Sequence, residues 1–175
     1  GVTNMDSAFL QCNKLTTTPI IPEGVTSVRQ CFYGCNNIAN FPILPNTITN
    51  ARGFWQYGKL DNTNTSNIVL PESLTNLCYM MSADINHTSN ITIGSNVTDM
   101  SYFFEMGFGN WYVKSNQVTN AYNCYTRDNQ RLNIYIPFTY KNGAQSLTYS
   151  SFIAAGYRTD GSFRNVYLIN YTNLY

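Results

Sequence analysis

Apolar and polar positions recur together along this chain. The opening phrase GVTNMDSAF returns ninety-five residues later as NVTDMSYFF, with looser versions between and after. Six copies start at Val2, Val25, Ile48, Leu74, Val97 and Val118, spaced by 23, 23, 26, 23 and 21 residues. The second position is always Thr: Thr3, Thr26, Thr49, Thr75, Thr98 and Thr119. The third is Asn4, Ser27, Asn50, Asn76, Asp99 and Asn120, and the fourth is apolar: Met5, Val28, Ala51, Leu77, Met100 and Ala121. The eighth is large: Phe9, Phe32, Trp55, Met81, Phe104 and Tyr125. A catalytic motif has no need to occur six times. A structural unit that cannot bury its apolar side alone does, and stacking its copies gives a solenoid with a continuous core.

A second element accompanies the phrase. It reads PIIP (19–22), PILP (42–45), IVLP (68–71), ITIG (91–94), WYVK (111–114) and IYIP (134–137). Short β-branched segments closed by Pro or Gly predict a strand followed by a turn. Alternation along a strand puts Ile21, Leu44, Leu70, Ile93 and Ile136 inward, with Pro19, Pro42, Ile68, Ile91 and Ile134. The large residue at position eight is expected in the core of every copy. Ile20, Ile43, Val69, Thr92 and Tyr135 then face out, beside Thr18, Phe41, Asn67, Asn90 and Asn133. Copy five, with 21 residues, breaks this register, because Lys114 falls in the inward row. A shift by one places Val113 inward and leaves Trp111 open. The outward rows are more apolar than a solvated face requires. Contiguous exposed apolar patches mark interaction sites, so Ile20, Phe41, Ile43, Val69, Thr92 and Tyr135 form the candidate binding face. The alternatives are a parity error of one residue or a neighbouring domain that covers the face.

Residues 138–175 leave the repeat. Asn142 and Gly143 signal a turn, SLTYSSFIAAGY reads as a short helix stopped at Gly156, and NVYLINY as a last strand. The expected architecture is therefore mainly β: a right-handed solenoid of about six 21–26-residue rungs over 1–137, closed by a C-terminal α+β cap over 138–175.

VTSVRQCFYGCNNI followed by FPILP resembles the 23-residue repeat of the BspA-like (Treponema-type) leucine-rich-repeat family. The match is tight in FLQCNKL (9–15) and FYGCNNI (32–38), and loose in copies three to six, where the Cys and the following Leu are lost. The tail also resembles C-terminal segments of such proteins from gut bacteria and their phages. The resemblance implies a surface, secreted or virion binding protein.

Composition narrows the chemistry. Only 11% of the 175 residues are charged and the net charge is +1, so nothing draws the chain to nucleic acid. The polar surface must be neutral, with 24 Asn, and the 14 Tyr argue for a folded chain. No apolar run is long enough to cross a membrane as a helix. With Gly1 first and no signal peptide, the chain reads as a processed or partial polypeptide. The five Cys follow the repeat. Cys12 and Cys35 share the eleventh position, and Cys31 and Cys124 share the seventh with Ala8, Phe54, Met80 and Phe103, a core slot. Adjacent copies would bring Cys12 and Cys35 within disulfide reach, so a bond and two stacked thiols both stand open. Cys31 and Cys35 lack a second ligand pair, and His87 is the only histidine; neither a metal nor a cofactor is expected. The acids are scattered singly, which does not favour a glycosidase pair, and no catalytic fingerprint occurs. The acceptor pattern N-x-[ST] at Asn64, Asn86, Asn90, Asn96 and Asn170 matters only where N-glycans are made.

With what the resemblance implies, display on a phage virion or a bacterial surface, these features predict a non-enzymatic attachment module binding a host protein or glycan. The alternative is a structural virion or appendage subunit that self-assembles through its solenoid face and N-terminal edge. In either case residues 1–24, which carry bare apolar side chains such as Phe9 and Leu15, are expected to contact another domain or a sister subunit.

Overall fold

The structure, a computed structural model, describes residues 1–60, 67–125, 131–140 and 142–171, apart from the side chains of 59–60, 82–89 and 105–108. Its turn edge follows from the repeated phrase. Position three bridges in parallel to position three of the next copy, Asn4 to Ser27 to Asn50 and Asn76 to Asp99 to Asn120. The Thr at position two explains its own invariance. Thr26, Thr49, Thr98 and Thr119 each donate a backbone N–H to the preceding copy's Thr carbonyl at 2.8–2.9 Å. Each also donates its hydroxyl to that same carbonyl at 3.2–3.3 Å. The Asn or Asp at position three accepts the N–H two residues on, at 2.7–3.3 Å, in five copies. This is an Asx turn, which replaces a backbone partner with a side-chain oxygen. Copy two has Ser27 there. Asp6 of copy one substitutes, accepting from Ser27 Oγ at 2.5 Å and from Arg29 N–H at 2.8 Å.

The strands are β1 (Lys59–Leu60), β2 (Ile68–Val69), β3 (Met81–Ile93), β4 (Phe104–Val113), β5 (Leu132–Ile136) and β6 (Val166–Asn170), with one helix, α1 (Leu147–Ala154). The described residues form a single parallel sheet in the order β1-β3-β4-β5-β6, and β2 pairs with β3 beside that path. This overturns the expected fold class. A parallel sheet with one short helix is an α/β-like arrangement, not a mainly-β leucine-rich-repeat solenoid of six rungs with an α+β cap. Three physical causes stand out. PIIP and PILP form no strand, because a Pro at each end removes ladder N–H donors. In copies four and five, strand runs for 13 and 10 residues, through positions where the repeat predicts a turn. Finally, β6 from the tail joins the same sheet by pairing with β5.

Core packing is close to the sequence pattern. Ile21, Leu44, Leu70, Ile93 and Ile136 are buried, as are Pro42, Ile68, Ile91 and Ile134, whereas Pro19, expected inward in the same row, is only half-buried. In copy five the register Ile91–Trp111 and Ile93–Val113 buries both Trp111 and Val113. Lys114 turns aside, its ammonium 3.3 Å from the Glu72 carboxylate. At position eight Phe32, Trp55, Met81, Phe104 and Tyr125 are buried. Phe9 departs from the expectation. It is only half-buried, packed on one side over Phe32 at 5.4 Å and 7°.

The tail is tied to copies five and six. Ser146 caps α1 by accepting from Tyr149 N–H at 3.1 Å and donates to the Pro137 carbonyl. Gly156, at φ +100°, ends the helix turn by donating to the Ile153 carbonyl at 3.0 Å. Buried Thr148 donates to the Ser115 carbonyl at 2.6 Å and accepts from Val118 N–H at 3.1 Å. The buried Tyr157 hydroxyl accepts from Tyr125 N–H and donates to its carbonyl. Without these bonds the Val118 and Tyr125 N–H groups would lose their buried partners, at roughly 1–3 kcal/mol each.

All five cysteines are free, so Cys12 and Cys35 are thiols; Cys35 donates to the Phe9 carbonyl at 3.0 Å. Burial pushes the Cys31 and Cys124 thiols up to about 12, which suits small core fillers rather than nucleophiles.

Candidate binding face

Side chains alternate along a strand, so burying one row presents the next. Ile20 and Ile43 are 91% and 92% exposed, and Val69 is 62% exposed. Two apolar side chains held almost wholly in water within one row are unusual for a surface with so much neutral polarity. An open groove of about 700 Å³ runs beside Ile20 and Ile43, with Pro22, Phe41 and Pro45 in its walls. Phe41 also packs against the core. It is half-buried, its ring 5.7 Å from both Phe54 and Trp55. It belongs to the core margin as much as to the face.

Further along, the same row changes character. Thr92 is half-buried and pairs with Tyr112, which pairs with Tyr135. The Tyr112 and Tyr135 rings stack at 4.9 Å and 14°. Tyr171 closes on both, at 5.7 and 6.1 Å. Burial, and then the neighbouring Tyr135 and Tyr171 phenols, raise the Tyr112 hydroxyl above its ordinary range, so it stays a neutral donor. Beside this stack runs an asparagine ladder. Asn90 donates to Asn67 at 3.1 Å, Asn110 to Asn90 at 3.0 Å, and Asn133 to Asn110 at 3.0 Å. Each internal amide uses one N–H and one side of its oxygen in the ladder. The second N–H and the other lone pair remain for a ligand.

The structure thus brings Ile20, Ile43 and Val69 into one exposed row, with Thr92 and Tyr135 at its far end, and draws Phe41 partly inward. Sequence reasoning missed Tyr112, Asn110 and Tyr171. The first two were hidden by the register of copy five, and the third by its place in the tail. Shifting copy five by one residue, as Lys114 demanded, finds Tyr112 and Asn110. Of the N-x-[ST] acceptors, Asn90, Asn96 and Asn170 are exposed. Asn64 lies outside the described residues, as do the side chains of Asn86 and His87. No helix of the described residues is long and apolar enough to cross a membrane.

No family model, no curated protein and no solved structure matches this chain.

Proposed function

We propose that the chain is a non-enzymatic recognition module that attaches to a host protein or glycan, displayed on a phage virion or a bacterial surface. The observation that carries this reading is the near-complete exposure of Ile20 and Ile43 in a row that continues into ordered tyrosines. Fixed aromatic and apolar side chains lose little conformational freedom on binding, which suits them as anchors. The asparagine amides beside them offer neutral donors and acceptors to hydroxyls or peptide groups. Binding of the labelled chain to intact bacterial cells and to arrayed purified glycans tests the proposal. The double variant Ile20→Ser, Ile43→Ser should abolish attachment. It should leave the melting temperature within about 2 °C, because exposed substitutions away from structural features change stability by under about 0.5 kcal/mol. Attachment unchanged in that variant overturns the role of this face.

One observation favours the structural-subunit reading. Val2 and Leu10 are exposed and Met5, Phe9 and Leu15 only half-buried, so residues 1–24 offer an apolar end to another domain or a sister chain. Filaments or a shell lattice in micrographs of the purified chain would support that reading over the first.

A further inference from the structure

A second site lies on the turn edge, away from the strand face. Position six of every copy adopts the left-handed conformation: Ser7, Gln30, Gly53, Tyr79, Tyr102 and Asn123 have φ between 48° and 65°. Five of these carry side chains, so the conformation alone does not demand glycine. What matters at Gly53 is how little room a side chain would have. A Cβ placed there would lie 3.1 Å from Gln30 Cγ and 3.3 Å from Gln56 Oε1, so a side chain would have to push these two aside. Beside Gly53 lies a cavity of about 290 Å³, walled by Arg29, Gln30, Arg52, Gln56 and Tyr79.

Its charge is unbalanced. Among the described residues neither the Arg29 nor the Arg52 guanidinium has a hydrogen bond or a carboxylate partner. Arg52 lies 5.7 Å over the Tyr79 ring, which fixes its direction. The nearest copy's acid, Asp6, has one oxygen taken by Ser27 and the Arg29 backbone N–H. Tyr79 is backed by a parallel stack on Tyr102 at 4.7 Å and 7°, and Tyr102 meets Tyr122 edge-on. The wall is therefore rigid, and its free edge is the phenol.

We propose that this cavity binds the carboxylate of an acidic sugar. Arg29 and Arg52 take the carboxylate, since guanidinium forks match its geometry. The Gln30 and Gln56 amides and the Tyr79 phenol take ring hydroxyls. A single-stranded nucleic acid fits less well, because it needs a basic groove that follows many phosphates. Here there are two cations in a chain of net charge +1.

Two-dimensional NMR titration of the whole chain at low salt tests this, with galacturonic acid and its trimer as probes. Galactose, inorganic phosphate and a short oligo-dT serve as comparators. Galacturonate should shift the amides of Arg29, Arg52, Gly53 and Tyr79, and galactose should leave them in place. Arg52→Gln should weaken binding at least tenfold. Gly53→Gln, which restores the side chain that Gln30 carries at the same position, should block the cavity. Ile43→Ser, on the other face, should not matter. If Gly53→Gln fails to fold, Arg29→Gln and Arg52→Gln decide the case, since both side chains are exposed. An equal response to galactose, tighter binding of phosphate or oligo-dT, no response to galacturonate, or undiminished binding by Arg52→Gln would each overturn the assignment.

Discussion

Copies one and two keep the Cys-containing turn of the repeat, FLQCNKL and FYGCNNI, yet neither contributes a strand. Copies four and five have lost that Cys, yet give the longest strands, β3 and β4. The phrase and the sheet are therefore separate instructions. The phrase specifies the turn edge, through Thr hydroxyls and Asx turns that bond one copy to the next. The sheet is specified by what lies between phrases: runs without proline extend, and runs closed by proline at both ends do not. This difference shapes the two ends of the exposed face. Where the ladder is absent, Ile20 and Ile43 stand alone in water. Where it is present, side chains fall into register at strand spacing and stack, as Tyr112 does on Tyr135 and Asn110 on Asn90.

The largest expected effect tests whether the strandless copies are held by core packing. Phe32 is fully buried, against Phe9, Phe54 and Trp55 at 5.3–5.4 Å. Phe32→Ala should cost about 3–5 kcal/mol in urea unfolding, as truncation of a buried Phe does. Phe9→Ala, at the same position in the half-buried first copy, should cost less than half as much. Equal losses would mean that Phe9 is covered in solution, as the expectation for residues 1–24 requires.

Much of this is legible in the sequence. The inward rows, the helix with its Gly156 stop and the last strand follow from apolar spacing and stop signals. The fold class does not, because a repeat period says that copies stack but not which part of each copy extends. A proline normally marks the end of a strand, but at both ends of PIIP and PILP it prevents one. Alternation is enough to expose Ile20, Ile43 and Val69. It is not enough at copy five, where a shortened repeat moves Tyr112 and Asn110 into the row. The Arg29 and Arg52 cavity leaves a trace in the sequence too: Gly53 is the one glycine in a row of side chains. That trace has meaning only once position six is known to be left-handed throughout.

A smaller effect concerns the turn edge alone. Asp6 stands in for the missing Asx oxygen of copy two. Asp6→Ala should therefore cost about 1 kcal/mol, the usual loss of a side chain that caps backbone N–H groups. Asn76→Ala, which removes the ordinary Asx turn of copy four, should cost about the same. The double variant Asp6→Ala, Ser27→Asn should recover most of the loss, because an asparagine in place of Ser27 supplies its own turn. If it does not, the Asp6 contact is incidental to the stacking.

The smallest effect lies where the two kinds of region meet, at Glu72. Its carboxylate accepts from the Ser95 N–H at 2.6 Å and the Ser95 hydroxyl at 2.8 Å, and pairs with Lys114 at 3.3 Å. Burial alone would raise its pKa. The Ser95 and Lys114 contacts outweigh burial and hold the carboxyl below its ordinary range. A carboxyl lowered on folding contributes stability at pH values above the unfolded pKa, about 4.3 for Glu. That contribution fades as pH falls through the lower folded value. The pair is partly exposed, with side-chain exposures of 36% and 46%, so solvent and salt keep its worth under about 1 kcal/mol. Glu72→Gln should accordingly lower stability by a few tenths of a kcal/mol up to about 1 at pH 7. The gap to the unsubstituted chain should close at a pH below the lowered folded value, where both side chains are neutral. Urea unfolding at the two pH values measures it. A gap that persists at low pH would show that the Ser95 hydrogen bonds act through shape rather than charge. The join between the proline-closed IVLP segment and the long strands would then depend on packing alone.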